Sequence, residues 1–149
     1  MMQRLITSVF LFVICIAGAP AQENITVGIG YQYGGIVGVK YNFKGEQDNF
    51  YASVGLLGGA LGYQRFTDMS QQHAFGAMVG AEVLASESGF LALTYNYYPN
   101  GFSKSGWAFG ASLGVRRTDE DVLNVGEIFG LDVEVKTTTL IGLNVGYTF

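Results

Sequence analysis

The sequence predicts an all-β fold: an eight-stranded antiparallel up-and-down transmembrane β-barrel, formed by residues 22–149 behind a signal peptide at 1–21. Three observations predict it. Eight segments alternate apolar with small or polar residues at period two, the spacing of strands whose two faces meet different surroundings. The non-apolar phase of those segments is filled by glycine rather than by charge. Charged residues make up only 13% of the 149-residue chain, against 49% hydrophobic. That charge content is about half of what an ordinary soluble domain carries, too little to cover a water-facing surface.

The N-terminus accounts for part of the hydrophobicity. Met1-Met2-Gln3-Arg4 is a short basic head, and Leu5 to Ala17 is an uncharged apolar run. Ala19-Pro20-Ala21 then supplies the small-x-small pattern of a signal-peptidase site, with cleavage expected after Ala21. The run is short for a retained helical span, which takes roughly 20 apolar residues. Cys15, the single cysteine, lies inside it behind Ile14, which is not the small residue a lipidation site requires. The mature chain therefore has neither disulfide nor thiol chemistry. Loss of Arg4 from the eight basic residues leaves seven against twelve acidic ones, a net charge of −5. That balance argues against nucleic acid as a partner.

The alternating segments fall at 24–32, 35–44, 49–57, 60–66, 73–85, 90–98, 106–117 and 137–149. Turn residues separate most of them: Tyr33-Gly34, Gly45 to Asp48, Gly58-Gly59, Asp68 to Gln72, Ser86 to Gly89, and Pro99-Asn100-Gly101. Strands joined by such short turns pair antiparallel with their neighbours, and eight suffice to close a small barrel. The longer connection, 118–136, holds half of the chain's acids together with Val122, Leu123, Ile128 and Phe129. Either Thr118-x-x-Asp121 caps a short helix there, or the segment prolongs the last two strands.

One phase is nearly all apolar, as in Val37, Val39, Tyr41, Phe43 or Ile141, Leu143, Val145, Tyr147. The other holds eleven glycines along with Thr26, Lys40, Asn42, Gln64, Glu82, Asn96, Ser112, Arg116 and Asn144. A soluble cavity barrel would show charge on its outer phase. Glycine packs poorly on a strand but suits the crowded inside of a narrow barrel, opposite large residues such as Tyr51, Met78 or Phe90. The apolar phase is therefore expected to face lipid, with its aromatics, Tyr31 and Trp107 among them, at the interfaces. Arg65 stands out in the apolar phase of the fourth strand. Either it snorkels to the interface or the register slips there.

The chain closes on Leu140-Ile-Gly-Leu-Asn-Val-Gly-Tyr-Thr-Phe149, apolar at every second position back from a terminal phenylalanine. This ending resembles the C-terminal strand signature of bacterial outer-membrane barrels. The resemblance makes Tyr147 and Phe149 the signal read by the barrel-assembly machinery. Signal peptide, eight segments and ending together resemble the small barrels of the OmpA transmembrane-domain and OmpX type, as pattern over residues 24–149. Tyr33-Gly-Gly-Ile-Val-Gly-Val-Lys-Tyr-Asn-Phe43 also resembles small outer-membrane proteins that repeat Tyr-Gly-Gly and Gly-Val-Lys, a likeness that brings no activity with it. The resemblance implies residence in the cell outer membrane, lipid as surroundings, a monomer, and periplasmic termini. The turns at 44–49, 67–72 and 99–105 would then be periplasmic. Only 118–136 would be a long outer loop.

The interior charges Lys40, Glu82 and Arg116 have two readings, a polar pore lining or gate, and an internal network of paired charges that plugs the barrel. Room for side chains and little else favours the plug. His73, the single histidine, lacks a serine two positions on and reads as a turn residue rather than a lipid-modifying catalyst. Asp119-Glu120-Asp121 lacks the spacing of a calcium loop, and Gly28-x-Gly30 is followed by no helix that would make it a nucleotide site. No catalytic residue, metal or cofactor is expected. The function expected is a structural or surface-interaction role, ahead of a narrow solute channel, a lipid-modifying enzyme or a secreted carrier of an apolar ligand.

Overall fold

The computed structural model describes residues 24–82, 86–119 and 135–149. The expected signal peptide and most of the acidic connection lie outside those residues. Eight strands close into one antiparallel barrel in sequence order. They are β1 (Ile25–Gly30), β2 (Gly35–Lys44), β3 (Asp48–Gly55), β4 (Gly58–Phe66), β5 (His73–Glu82), β6 (Ser86–Tyr97), β7 (Gly106–Asp119) and β8 (Val135–Thr148).

The alternation sorts the side chains as the period-two pattern dictates. Lys40, Asn42, Gln64, Asn96, Ser112 and Asn144 are buried, whereas Leu93 is 69% and Leu143 80% exposed. None of Val39, Leu93, Leu113 or Val145 is buried. The inside thus mixes polar with apolar side chains, while the wall facing outward is apolar.

The outward aromatics gather at one end, the end that carries both termini. Phe50 packs on Tyr63 at 4.9 Å between ring centres, Phe75 on Tyr95 at 5.0 Å, and Trp107 on Tyr147 at 5.5 Å. Tyr41 and Phe43 continue the belt on β2. Arg65 also points outward at this rim. It pairs with Asp48 in unbroken register, so no slip occurs, and its Nε lies 3.9 Å from the Asp48 carboxylate.

Three expectations about the walls are corrected. The first strand ends at Gly30 instead of 32, and Tyr31 is not part of the aromatic belt. Gly30 takes φ +104°, a conformation open to glycine, and the chain turns into the barrel as a short 3-10 turn, Tyr31–Tyr33. Gly58-Gly59 is not a turn. Leu56-Leu57 turns the chain, and the glycines begin β4 opposite Glu82 and Ala81, where a Cβ on Gly58 would strike the Ala81 carbonyl. Ser86 to Gly89 likewise belongs to β6. Ser86 pairs with Glu82 across a register shift, and Gly89 takes φ +92° opposite it, as a β-bulge does.

The ends of the acidic connection are strand. Arg117 to Asp119 pair with Thr137 to Val135 beyond the last β6 partner, Arg116. The seam that closes the cylinder is much shorter. Four residue pairs join β1 to β8, from Thr26↔Thr148 to Ile29↔Val145, against fourteen between β7 and β8.

Candidate functional site

The lumen is where the unusual residues meet, and it is filled from end to end. At the terminus-bearing end, Phe66, Ala74, Tyr98, Phe102 and Ala108 form an apolar lid. Phe102 reaches it from the turn after β6. Its backbone N–H donates to the Gln71 carbonyl at 3.0 Å, and the Tyr98 N–H donates to Gln72 at 2.8 Å. The Gln72 side chain donates to the Pro99 carbonyl at 2.9 Å, so two neighbouring turns lock together over the opening. Asp68 organises the first of them. Its carboxylate accepts from the Ser70 hydroxyl and from the backbone N–H groups of Gln72 and His73. The Ser70 hydrogen bond first, then those two backbone donors, lower its pKa to about 2.

Beneath the lid lie three short hydrogen-bonded chains. Thr148 meets Thr26 at 2.9 Å, Asn42 donates to Thr26 at 3.0 Å, and Asn49 donates to Asn42 at 3.1 Å. Asn96 donates to Gln64 at 3.0 Å, and Gln64 donates to the Tyr98 hydroxyl at 3.0 Å. Asn144 donates to Ser112 at 3.0 Å and accepts from the Gln32 backbone N–H at 3.1 Å. The first and third link neighbouring strands, the second reaches from β6 across β5 to β4, and each satisfies amides that burial would otherwise penalise.

The other half of the lumen is occupied by the inward turn. Tyr33 and Gln32 are fully enclosed. Gly34 caps the turn at φ +76°, its N–H on the Tyr31 carbonyl at 3.2 Å. Glycines make the space. A methyl on Gly28 would stand 2.6 Å from the Tyr33 ring, and one on Gly146 would overlap the Tyr33 hydroxyl. Gly62 faces Tyr51 in the same way, and Gly80 faces Phe90. Above this layer Tyr51, Ala60, Met78, Phe90, Ala92 and Leu140 form an apolar cluster joined by Tyr31.

Lys40, fully buried, is held between two rings, its Nζ 4.9 Å from the centre of Tyr33 and 4.8 Å from that of Tyr51. Cation–π attraction strengthens when the cation is desolvated. Glu82 is buried near Gly35, its Oε1 3.4 Å from where a Cβ on that glycine would stand. Arg116 is half-buried, donating to Thr138 at 3.2 Å and to the Tyr31 hydroxyl at 3.3 Å. Arg116 acts on Glu82 through its charge, and at the rim Arg65 pairs with Asp48. Several enclosed polar atoms, Lys40 Nζ, the Gln32 amide and the Tyr51 hydroxyl among them, have no hydrogen-bond partner in the protein.

His73 sits at the start of β5, its Nδ1 2.9 Å from the Tyr95 hydroxyl and its ring stacked on Tyr97. Tyr147 faces outward at the rim, its ring 5.4 Å from that of Phe149. Of the acidic triplet, Asp119 ends β7 and Glu120 and Asp121 lie outside the described residues. Among the described residues, no group of three His, Cys, Asp or Glu is placed to hold a metal. Sequence reasoning missed the two plugs. Gly30, Gly34 and Gly35 around Tyr31–Tyr33, and the large apolar Phe102 in a polar turn, were the signals for them.

Fold and lumen define the class: a closed eight-stranded antiparallel β-barrel with a mixed polar and apolar interior and an apolar outer wall. Compared with models of known protein families, with curated proteins and with solved structures, the chain matches none.

Proposed function

We propose that the chain is an integral outer-membrane β-barrel of the OmpA transmembrane-domain or OmpX kind, a monomer with a structural or surface-interaction role. The observation that carries this reading is the exposed apolar wall of the closed barrel. Water would not tolerate so continuous an apolar surface, whereas hydrocarbon demands both that surface and the closed ring of backbone hydrogen bonds. The aromatic belt at the terminus-bearing rim is what an interface attracts. In this reading the signal peptide 1–21 directs export. The assembly machinery reads Tyr147 and Phe149. Lys40, Glu82 and Arg116, with the inward turn, keep the lumen filled. The β7–β8 ribbon, which runs on past the last β6 partner, offers the contact surface.

A narrow channel is the second reading, favoured by the enclosed polar atoms that lack protein partners. The lid of Phe66, Tyr98 and Phe102 and the Tyr31–Tyr33 turn oppose it. Cell fractionation with heat-modifiable gel migration tests the membrane reading. The protein is expected in the outer-membrane fraction, running faster unheated than boiled. Recovery in buffer without detergent would refute it. Bilayer recordings of the pure protein are expected to show no opening events.

A further inference from the structure

On the outer wall, β3 to β6 leave an open groove of about 260 Å3, lined among others by Phe50, Leu61, Tyr63, Ala77, Val79 and Leu91. It is several times the ~30 Å3 share of one water molecule. The groove exists because Ala77 stands between larger neighbours in register, Tyr63 on one side and Leu93 on the other. Two positions beyond its Phe50–Tyr63 end, towards the rim, stands a pair of opposite charges. Arg65 follows Tyr63 on the same face of β4, and Asp48 is its partner across β3. Asp48 Oδ1 accepts from the Tyr63 hydroxyl at 2.6 Å and lies 3.9 Å from Arg65 Nε. Both side chains are well exposed, and neither contact uses Asp48 Oδ2 or the terminal guanidinium nitrogens.

We infer that this groove and the Arg65–Asp48 pair form a binding site for one phospholipid with an amine-bearing zwitterionic headgroup. The inference rests on the membrane reading above. An acyl chain lies in the groove between the Phe50–Tyr63 rings and Leu61, Val79 and Leu91. The phosphate takes the free guanidinium nitrogens of Arg65, whose planar fork suits it. The primary ammonium reaches Asp48 Oδ2. Charge complementarity selects the occupant. A purely anionic headgroup leaves the Asp48 carboxylate facing a like charge. A quaternary ammonium offers it no N–H. A phosphoethanolamine group supplies both partners in the order the rim presents them. The aromatic belt sets the depth, since Tyr63, hydrogen-bonded to Asp48, places the groove's mouth at the level where headgroups lie.

The test is native mass spectrometry of the purified full-length protein with phosphatidylethanolamine, phosphatidylcholine and phosphatidylglycerol of identical acyl chains. Wild type is expected to retain phosphatidylethanolamine over both others. Arg65→Gln, which removes charge-assisted bonds to the phosphate, should weaken retention about tenfold. Ala77→Leu, which fills the groove, should lower it as well. Asp48→Asn should erase the preference over phosphatidylcholine. Heat-modifiable migration of each variant confirms that the barrel remains folded. Equal retention of the three lipids by wild type, or retention unchanged in both Arg65→Gln and Ala77→Leu, overturns the site. Flotation with vesicles separates the two readings. Insertion without headgroup preference overturns the site alone, and failure to insert into vesicles of any of the three lipids overturns the membrane reading and the site with it.

Discussion

Lys40 places its ammonium 4.9 Å from the ring centre of Tyr33, with Tyr51 at 4.8 Å on its other side and no hydrogen-bond acceptor in reach. The groups beside the amine are thus two π faces rather than a carboxylate. Removing one ring leaves both a cavity and a less compensated charge. Tyr33→Ala is expected to cost about 3–5 kcal/mol, the scale of large-to-small changes at an aromatic. Lys40→Met keeps the stem and deletes the charge, and should be neutral or stabilising by up to about 4 kcal/mol. Urea unfolding in detergent, followed by the single tryptophan, Trp107, measures both.

The fit between Gly28 and Tyr33 leaves no room for another carbon, since a Cβ there would lie 2.6 Å from the ring. Gly28→Val should destabilise by on the order of 3 kcal/mol through overpacking. Combined with Tyr33→Ala, the same change should cost less, because the ring it strikes is gone. A double-mutant cycle reads that coupling directly.

Two independent plugs predict a particular pattern of conductance. Tyr33→Ala and Phe102→Ala each empty one end and should leave the barrel closed, because the other plug remains. Together they should produce opening events in planar bilayers. Conductance in wild type, or in either single variant alone, would contradict this arrangement.

Asp68 makes the turn at 67–72 sensitive to acid. Its folded pKa is lowered to about 2, below the ordinary value of 3.8. A depressed carboxyl contributes stability above its unfolded pKa and loses it as pH falls through the folded one. The turn should therefore be intact above pH about 4 and loosen towards pH about 2. Carbon NMR titration of the carboxyl should find the low midpoint, and Asp68→Asn should abolish the acid-induced loss of exchange protection at Gln72 and His73, whose N–H groups donate to the carboxylate.

Phe149 contributes little to the closed barrel itself: one backbone hydrogen bond to Ile25 at 3.3 Å and a ring contact with Tyr147. Deleting it should leave refolding into detergent nearly unchanged while sharply lowering the assembled fraction in cells. Equal assembly of the truncated chain would remove the proposed role of the ending.

The walls were legible because alternation is a local property. Any window of β2 or β8 reports which side chains share a face, and the glycine phase reported which face was crowded. What the pattern could not reveal was the path of residues that leave the wall. Tyr31 matches the outward phase of β1 by parity, but parity means nothing once Gly30 turns the chain inward. Phe102 looked like one residue of a polar turn, although its ring closes the barrel from a distance in sequence. Gly58-Gly59 read as a turn because glycine pairs often are one, whereas here the need was for backbone to approach Ala81. Pairing among Lys40, Glu82 and Arg116 was inferred from the rule that buried charge seeks opposite charge. The aromatic sandwich around Lys40 depends on Tyr33, a residue whose position no local pattern gives.

A cylinder fastened along so brief a join has a built-in place to part. Four residue pairs hold the first strand to the last, and just above them the first strand departs to become the plug. Letting go of Tyr33 and unzipping Thr26 to Ile29 from their neighbours would therefore be one motion, converting a sealed tube into a curled ribbon with two free margins.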